Sequence, residues 1–217
     1  LLNLSLSQHS LLLLPAVHLM EVSVMKNLIV LCHPNPMSFT YAICKEIETA
    51  LKAKGESFIT RNLYEMNFNP ILSGADFAQL NAGKIPFDIA EEQKHIASAQ
   101  NIIFVYPIWW TGLPAMLKGY VDRVFLKGFA WDFDNNGLKK LLTGKRALLV
   151  SCHGNPREYY ESVGMYNAMN MTSNNGIFEF CGVEVAAHQY FDSVPSSTEE
   201  TRKQMLAQVR ELVANLK

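Results

Sequence analysis

From Met25 onward, short apolar runs alternate with amphipathic stretches. Lys26–Cys32 (KNLIVLC) is a continuous apolar run of strand length, the pattern of a strand buried on both faces of a parallel sheet. After the turn HPNPMSFT, Ile43, Ile47, Ala50 and Leu51 mark one face of a helix, with Lys45, Glu46, Glu48 and Lys52 opposite. Gly55 stands just past its end, as a C-terminal cap. Phe58–Leu63 can form a second strand, LYEMNFNPILS is turn-rich, and Asp88–Ala99 reads as a polar-faced helix. Asn101–Tyr106 (NIIFVY) is a third buried strand, closed by Pro107. The loop PIWWTGLP then leads into a helix over Ala115–Phe125, with Met116, Leu117, Tyr120, Val121 and Val124 inward and Pro114 at its start. Arg146–Ser151 and Val183–Tyr190 supply a fourth and a fifth strand. The last helix is expected to begin at Ser197, capped by a Ser197–Glu200 pair, with Met205, Val209, Leu212, Val213 and Leu216 as its apolar stripe.

Strands and helices alternating at these distances predict an α/β fold: a parallel sheet with right-handed crossovers in a single domain. Composition agrees. Of 217 residues 49% are apolar, which excludes a disordered chain, and a net charge of -1 excludes a polybasic nucleic-acid binder. Cys32, Cys44, Cys152 and Cys181 lie far apart without metal or disulfide spacing and read as reduced thiols of a cytoplasmic protein. Residues 1–24 contain no Lys or Arg and one acid, Glu21. They lack the positive region of a secretory leader, and Pro15, His18 and Glu21 interrupt them, so no stable membrane insertion is expected. They are set apart as an upstream or non-native leader, with a signal anchor as the lesser alternative, and the domain is placed at 25–217.

In such sheets ligands bind beyond the carboxyl ends of the strands. The loops HPNPMSFT, PIWWTGLP and SCHGNPREYY therefore carry the chemistry. The first has neither G-x-G-x-x-G nor a Walker lysine, which argues against a dinucleotide turn and a nucleotide hydrolase. It offers Ser38, Thr40 and His33 where a helix opens, a place that attracts phosphate; Ser38 as a plain helix cap stays open. In the second loop, two adjacent tryptophans cannot both enter the core from an extended segment. Either they form a flat wall for a planar aromatic ligand or they seal the domain or a dimer contact. A phosphate site beside a flat wall points to a flavin.

HPNPMSF, LYEMNFNPILS, the EQKHIASA helix and YPIWWTGLPAMLKGYVDRVFLKGFAWDF together resemble the NAD(P)H:quinone oxidoreductases, a flavodoxin-like family, and in particular its shorter, bacterial-type members. The resemblance runs from about Met25 to the C-terminal helix, and the W-x-G-x-P-A-x-L-K-G-x-x-[DE]-R-V-F pattern is highly specific. It implies a flavodoxin-like three-layer sandwich with a five-stranded parallel sheet. It also implies a flavoenzyme that reduces quinones by two electrons with NAD(P)H as co-substrate, in a ping-pong hydride transfer through flavin N5. FAD is the implied cofactor, with FMN as alternative. By position, His33, Ser38, Phe39 and Thr40 would hold the phosphate end. Pro107, Ile108, Trp109, Trp110 and Thr111 would flank the ring system, partly through backbone N–H groups. Ser151, Cys152, His153 and Gly154 would meet the pyrimidine edge, where Cys152 and His153 depart from the family's Thr/Gly residues. Tyr159 falls at the active-site tyrosine, with Tyr160 a neighbouring competitor, and GMYNAMNM has no counterpart of the mammalian active-site histidine. Family members are homodimers with the site at the interface, so Trp110, Phe129, Trp131, Phe133 and Tyr159 would line the substrate pocket.

Other readings are a flavodoxin-type electron carrier, which would tend to be strongly acidic, and a regulatory flavoprotein subunit of a potassium-efflux system. DFDNNG (132–137) opens like a calcium loop but has Thr143 where the twelfth position needs Glu, so it reads as a polar hairpin or loop tip. Neither His95 nor His188 has a second metal ligand at fitting spacing, and no metal is expected; His188 reads as a strand-edge residue.

Overall fold

The computed structural model describes residues 25–216, so the expected leader at 1–24 lies outside the described residues. β1 (Asn27–Leu31) is buried at every position, as its unbroken apolar run requires. α1 (Phe39–Ala53) begins after Ser38, whose Oγ accepts the Tyr41 amide, and ends before Gly55, which turns the chain at φ +69°. β2 (Phe58–Asn62) leads through the turn-rich LYEMNFNPILS to α2 (Gly74–Asn81) and α3 (Phe87–Ser98). β3 (Asn101–Pro107) and α4 (Ala115–Val124) follow. Then come a hairpin of β4 (Trp131–Asp134) and β5 (Gly137–Lys140), and β6 (Arg146–Cys152). α5 (Arg157–Ser162), α6 (Met165–Asn170) and a π-helical turn at Met171–Phe178 precede β7 (Glu184–Phe191) and α7 (Glu199–Asn215).

Five strands pair in parallel in the order β2-β1-β3-β6-β7, with helices on both faces. The two-residue period sends Ile29, Leu31, Ile103, Val105, Leu148 and Val150 to one face, against Ile43, Ile47 and Leu51 of α1 and Val209 and Val213 of α7. Leu28, Val30, Ile102, Phe104 and Leu149 go to the other, against Ile96 of α3 and Leu117, Tyr120 and Val124 of α4. The chain winds outward from β1 in one direction and returns to β3 on the other side. Those two strands therefore diverge in connection at their carboxyl ends, where a crevice opens.

α4 is fixed at unusually close range, and it carries the loop that precedes it. A Cβ on Gly119 would lie 2.1 Å from the Pro70 carbonyl oxygen, so only glycine lets the helix meet the LYEMNFNPILS segment. One turn later Arg123 is 3% exposed and donates to Asp76, Asp88 and the Asn69 carbonyl, while its guanidinium lies 5.5 Å over the Phe68 ring.

One expectation about the elements changes. The cap of the last helix is Thr198, whose Oγ1 accepts the Thr201 amide, whereas Ser197 turns its hydroxyl back to the Val194 carbonyl. Ser197 lies one residue too early because the 3-10 turn at Val194–Ser196 uses its side chain. His188 lies in the edge strand β7, as its reading as a strand-edge residue expects, and its ring is turned into a polar cluster. It bonds Tyr106 through Nε2 and Asn174 and Tyr190 through Nδ1, and burial pushes its pKa down to about 3. The polar DFDNNG segment is the tip of the β4–β5 hairpin, and all four cysteines are free and buried. Among the described residues no helix is long and apolar enough to cross a membrane, and no cluster of metal-ligating side chains forms.

Candidate active site

At the carboxyl ends of β1, β3 and β6 the three loops singled out from the sequence meet in one cleft of about 220 Å³. Its lining joins His33, Ser38, Phe39 and Thr40 from the first loop to Pro107, Ile108 and Trp109 from the second. Cys152, His153 and Gly154 come from the third, and Val194 and Pro195 complete it. Nothing in the sequence pattern marks the last two; they follow Ser193, which reaches the left-handed region at φ 52°. A depression of about 620 Å³ at the opposite, amino-terminal end of the sheet is lined by Gln100, Gly144, Lys145, Arg146, Gly182 and Glu184. It has no aromatic wall and lies at the wrong end of the strands for a ligand of this fold.

The first loop runs into the start of α1, whose first amides and dipole point at the cleft's mouth as a helix start that favours negative charge. His33 Nδ1 is held by the Asn35 backbone, 3.0 Å from its amide and 3.2 Å from its carbonyl, which leaves Nε2 as the nitrogen not engaged by Asn35. Burial lowers the pKa of His33, so the ring stays a neutral donor. No Lys or Arg lines the cleft among the described residues, and an anion there would rest on N–H and O–H donors and the dipole of α1. Thr40 Oγ1 lies 3.4 Å from Cys152 Sγ and ties the first loop to the third. Burial raises the Cys152 pKa, so this thiol stays protonated and is a packing group, not a nucleophile.

The second loop ends in a tight turn. Trp109 and Gly112 exchange backbone hydrogen bonds of 3.3 and 3.2 Å, and the two residues between them, Trp110 and Thr111, take φ +50° and +57°. Both central residues of this turn are left-handed, a geometry that favours Asn-Gly, yet here it holds a tryptophan and a β-branched threonine. Trp109 tilts against His33, with ring centroids 5.9 Å apart, while 41% exposed, and Trp110 is fully exposed. The Ile108 amide is spent on the Cys152 carbonyl at 2.8 Å.

Behind the third loop stands an aromatic stack. His153 lies face to face with Tyr160 at 4.5 Å and 14°, its Nε2 is 3.0 Å from the Tyr166 hydroxyl, and Asn155 donates to the Tyr160 hydroxyl. Burial lowers the His153 pKa, and the nearby Asp192 only partly opposes it. His153 Nδ1 is buried and has no partner at hydrogen-bond geometry. An orphaned polar atom of this kind costs about 1–3 kcal/mol, and a bound ligand with a polar edge would remove that cost.

Some residues chosen from the sequence lie elsewhere. Ser151 is wholly buried within β6, its hydroxyl directed to the Gln189 carbonyl, because its place in the strand turns it into the sheet. Trp110 and Thr111 stand outside the cleft on the far side of the turn. Phe129, Trp131 and Phe133 belong to the β4–β5 hairpin region; Trp131 donates to the Phe125 carbonyl and lines a separate cavity, and Phe133 is exposed. Of the adjacent tyrosines, Tyr159 is 55% exposed, while Tyr160 is buried against His153. Tyr166 was not singled out from sequence, because its value depends on a partner in another loop.

The model of the family described as flavodoxin-like fold matches residues 25–213. An uncharacterised NAD(P)H oxidoreductase of Haemophilus influenzae is 39% identical over 84% of this chain and 91% of its own length. NAD(P)H dehydrogenase [quinone] 1 of Rattus norvegicus is 32% identical over 85% of this chain and 75% of its own. The structure of the NAD(P)H:quinone oxidoreductase from Methanothermobacter marburgensis superposes with a TM-score of 0.79 at 25% identity, covering 90% of this chain and all of the other. With its strand order, its cleft and its relatives in agreement, this chain belongs to the flavodoxin-like NAD(P)H:quinone oxidoreductase family.

Proposed function

We propose that this protein is a flavin-dependent reductase that takes a hydride from NAD(P)H and delivers it to a quinone, in two alternating half-reactions. The observation that carries the reading is the cleft. A cation-free helix start with neutral donors stands beside a flat aromatic-and-backbone wall, and a buried imidazole nitrogen at the third side lacks a partner. These residues fit a flavin, phosphate end at Ser38 and His33 and ring system between Trp109 and His153. Bound there, the flavin supplies the two-electron chemistry, which no side chain of the cleft can supply alone.

The chain's own residues bind and orient. His33 and the α1 start hold the anionic end without a salt bridge. Pro107, Ile108 and Trp109 exclude water from one face, and the Thr40–Cys152 contact holds the floor. Proton handling falls to the His153–Tyr160 stack behind the cleft rather than to Tyr159, which faces solvent on its own chain. A cleft of about 220 Å³ is smaller than the roughly 300–1,000 Å³ of ordinary ligand pockets, so one wall remains to be supplied. A second copy would supply it, and the exposed Trp110 and Phe133 are where it would dock. We take FAD as the cofactor and a homodimer as the working form.

The test is direct. The purified protein is expected to show bound-flavin absorbance that bleaches with NADH or NADPH and recovers with a soluble quinone. Absence of bleaching with either nucleotide sinks the enzyme reading. Extraction and chromatography of the flavin decide FAD against FMN.

A further inference from the structure

The tripeptide Asn-Asn-Gly occurs twice in this chain, at 135–137 and at 174–176. An asparagine followed by glycine is chemically labile, because a residue without a side chain leaves its backbone nitrogen open to the carboxamide before it. The local sequence is the same at both places, so only the fold can tell them apart. Asn136 and Asn175 are both exposed, and exposure does not separate them.

The first lies at the tip of the β4–β5 hairpin, where Asp134 pairs with Gly137 and the chain turns through Asn135 and Asn136. Asp134 Oδ1 accepts the Asn136 amide, but the Asn136 carboxamide has no hydrogen-bond partner among the described residues. Gly137 takes φ +107°, and a Cβ there would meet nothing within 4 Å. The hairpin has four residues in each strand and stands apart from the five-stranded sheet. A two-stranded ribbon is marginal by itself, so its tip opens at little cost. The second tripeptide lies inside the π-helical turn. Asn175 Nδ2 donates to Glu179 Oε2 at 2.7 Å, Asn174 Oδ1 lies 2.8 Å from His188 Nδ1, and Asn174 Nδ2 donates to Asn170. Phe178, at the end of the turn, is buried in the core. A helical backbone holds the Gly176 nitrogen away from the Asn175 carboxamide carbon, and bringing them together means unwinding the turn and breaking these bonds.

We propose that Asn136 is a site of spontaneous deamidation and isoaspartate formation, and that the fold shields Asn175 from the same reaction. The Gly137 backbone nitrogen gives its proton to hydroxide and attacks Asn136 Cγ. The bond from Cγ to the carboxamide nitrogen breaks, and ammonia leaves with a proton returned by water. Water then opens the cyclic imide. Attack at Cγ restores the backbone and leaves aspartate. Attack at the Asn136 backbone carbonyl carbon leaves Gly137 joined through the side chain, an isoaspartate with one more methylene in the chain. No electron is transferred, and water is the only co-reactant. Either product adds a negative charge beside Asp132 and Asp134. The iso product also lengthens the turn, so the pairs Asp134–Gly137 and Phe133–Leu138 lose their register. Phe133 is one of the two residues where a second copy would dock, but the reaction at Asn136 goes beyond that reading and does not depend on it.

Peptide mapping by mass spectrometry tests it, on the purified full chain aged at mildly alkaline pH, both folded and in concentrated urea. In the folded chain the Asn136 peptide is expected to gain the mass of an amide-to-acid exchange at least about ten times faster than the Asn175 peptide, a ratio set by how rarely the π-helical turn opens. In urea the two are expected to convert at rates within about twofold of each other, since their tripeptides are the same. Asn136→Gln, whose side chain is one methylene longer, should remove the fast conversion. Electron-transfer fragmentation separates isoaspartate from aspartate. The aged chain is expected to exchange its β4–β5 amide hydrogens faster than the fresh one, whereas Asn136→Asp, which adds the charge without the extra methylene, should keep the fresh chain's protection. Equal rates at the two sites in the folded chain, or a faster Asn175, overturn the proposal. So does aspartate without isoaspartate at Asn136. Isoaspartate in a hairpin that exchanges like the fresh one overturns the lost register.

Discussion

The turn at Trp110-Thr111 stores strain that a double substitution should release. Each left-handed non-glycine residue costs about 1–2 kcal/mol, and the β-branched Thr111 at φ +57° belongs at the upper end. Trp110→Asn with Thr111→Gly installs the pair this turn prefers. Asparagine recovers part of the cost at the first position. Glycine recovers all of it at the second but gives back about 0.5–1 kcal/mol of backbone entropy. Because Trp110 is fully exposed no apolar burial is lost, and the Thr111 Oγ1 bond to the Trp110 carbonyl is solvent-exposed and worth little. The expected net gain is about 1–2 kcal/mol, or roughly 3–6 °C in Tm for a domain of this size. Thermal melts and urea midpoints of the purified chain and the variant under identical conditions read it directly. Turnover should fall in the same variant, since an exposed tryptophan held out at such cost is kept for what it meets, substrate or a second copy. A melting temperature that is unchanged or lowered refutes the strain argument, whatever happens to activity.

Four further outcomes can be stated. Gly119→Ala puts a methyl 2.1 Å from the Pro70 carbonyl oxygen, a backbone atom that cannot step aside, and should cost about 3 kcal/mol or more in urea unfolding. Arg123→Met leaves the buried Asp76 unpaired and should cost about 3–5 kcal/mol at neutral pH. Arg123 holds the Asp76 carboxyl below its usual range, so its contribution is present above about pH 4 and lost as pH falls through the lower folded value. The gap between variant and wild type should therefore close in acid. His188 titrates near 6.5 unfolded and at about 3 folded, so the unfolded chain binds the extra proton in between. Stability should be full above about pH 6.5 and decline toward pH 3 by on the order of 4 kcal/mol, a slope that His188→Gln flattens in pH-dependent urea midpoints. Tyr159→Phe should leave quinone turnover within about twofold, whereas Tyr160→Phe should lower it at least tenfold by losing the Asn155 bond behind His153; equal losses in stopped-flow traces would return the role to Tyr159.

The strands were legible because a strand buried on both faces must be apolar throughout, and Lys26–Cys32, Asn101–Tyr106 and Arg146–Ser151 could be little else. The helix α2 was not, for a physical reason. Its one buried side chain is Asp76, whose partner Arg123 lies 47 residues away, and its large apolar residue Phe77 faces outward, so no apolar stripe marks it. The π-helical turn at Met171–Phe178 escaped in the same way, since its periodicity matches neither a strand nor an α-helix. Within the site, the loops could be chosen from topology alone, because ligands gather at strand ends. Which side chain of a loop faces the cleft depends on phase. One residue separates Ser151, inside the sheet, from Cys152 at the cleft, and one separates exposed Tyr159 from buried Tyr160. Composition says nothing about a phase that a single turn can shift.

The left-handed non-glycine residues are gathered mostly at one end of the fold. Among the described residues, three of the four non-glycine residues with positive φ, Trp110, Thr111 and Ser193, adjoin loops of the cleft, and His153, whose Nδ1 has no hydrogen-bond partner, lines it. The fourth, Asn67, belongs to the segment that passes under α4, the helix that carries the Trp109–Trp110 loop. Elsewhere most local choices agree with the global one, apolar runs where strands are buried and arginine where carboxylates are enclosed, with the π-helical turn at Met171–Phe178 and a register shift at Ala147–Leu148 as the departures. A chain optimised only to fold would show its exceptions at random or not at all. Here the rigid parts, the sheet and the Gly119–Pro70 and Arg123–Asp76 clamps, carry enough stability to hold the exceptions in place, and the exceptions sit where a ligand would meet them. The same clamps fix α4, the helix into which the Trp109–Trp110 loop runs, so residues that never approach the cleft anchor one of its walls.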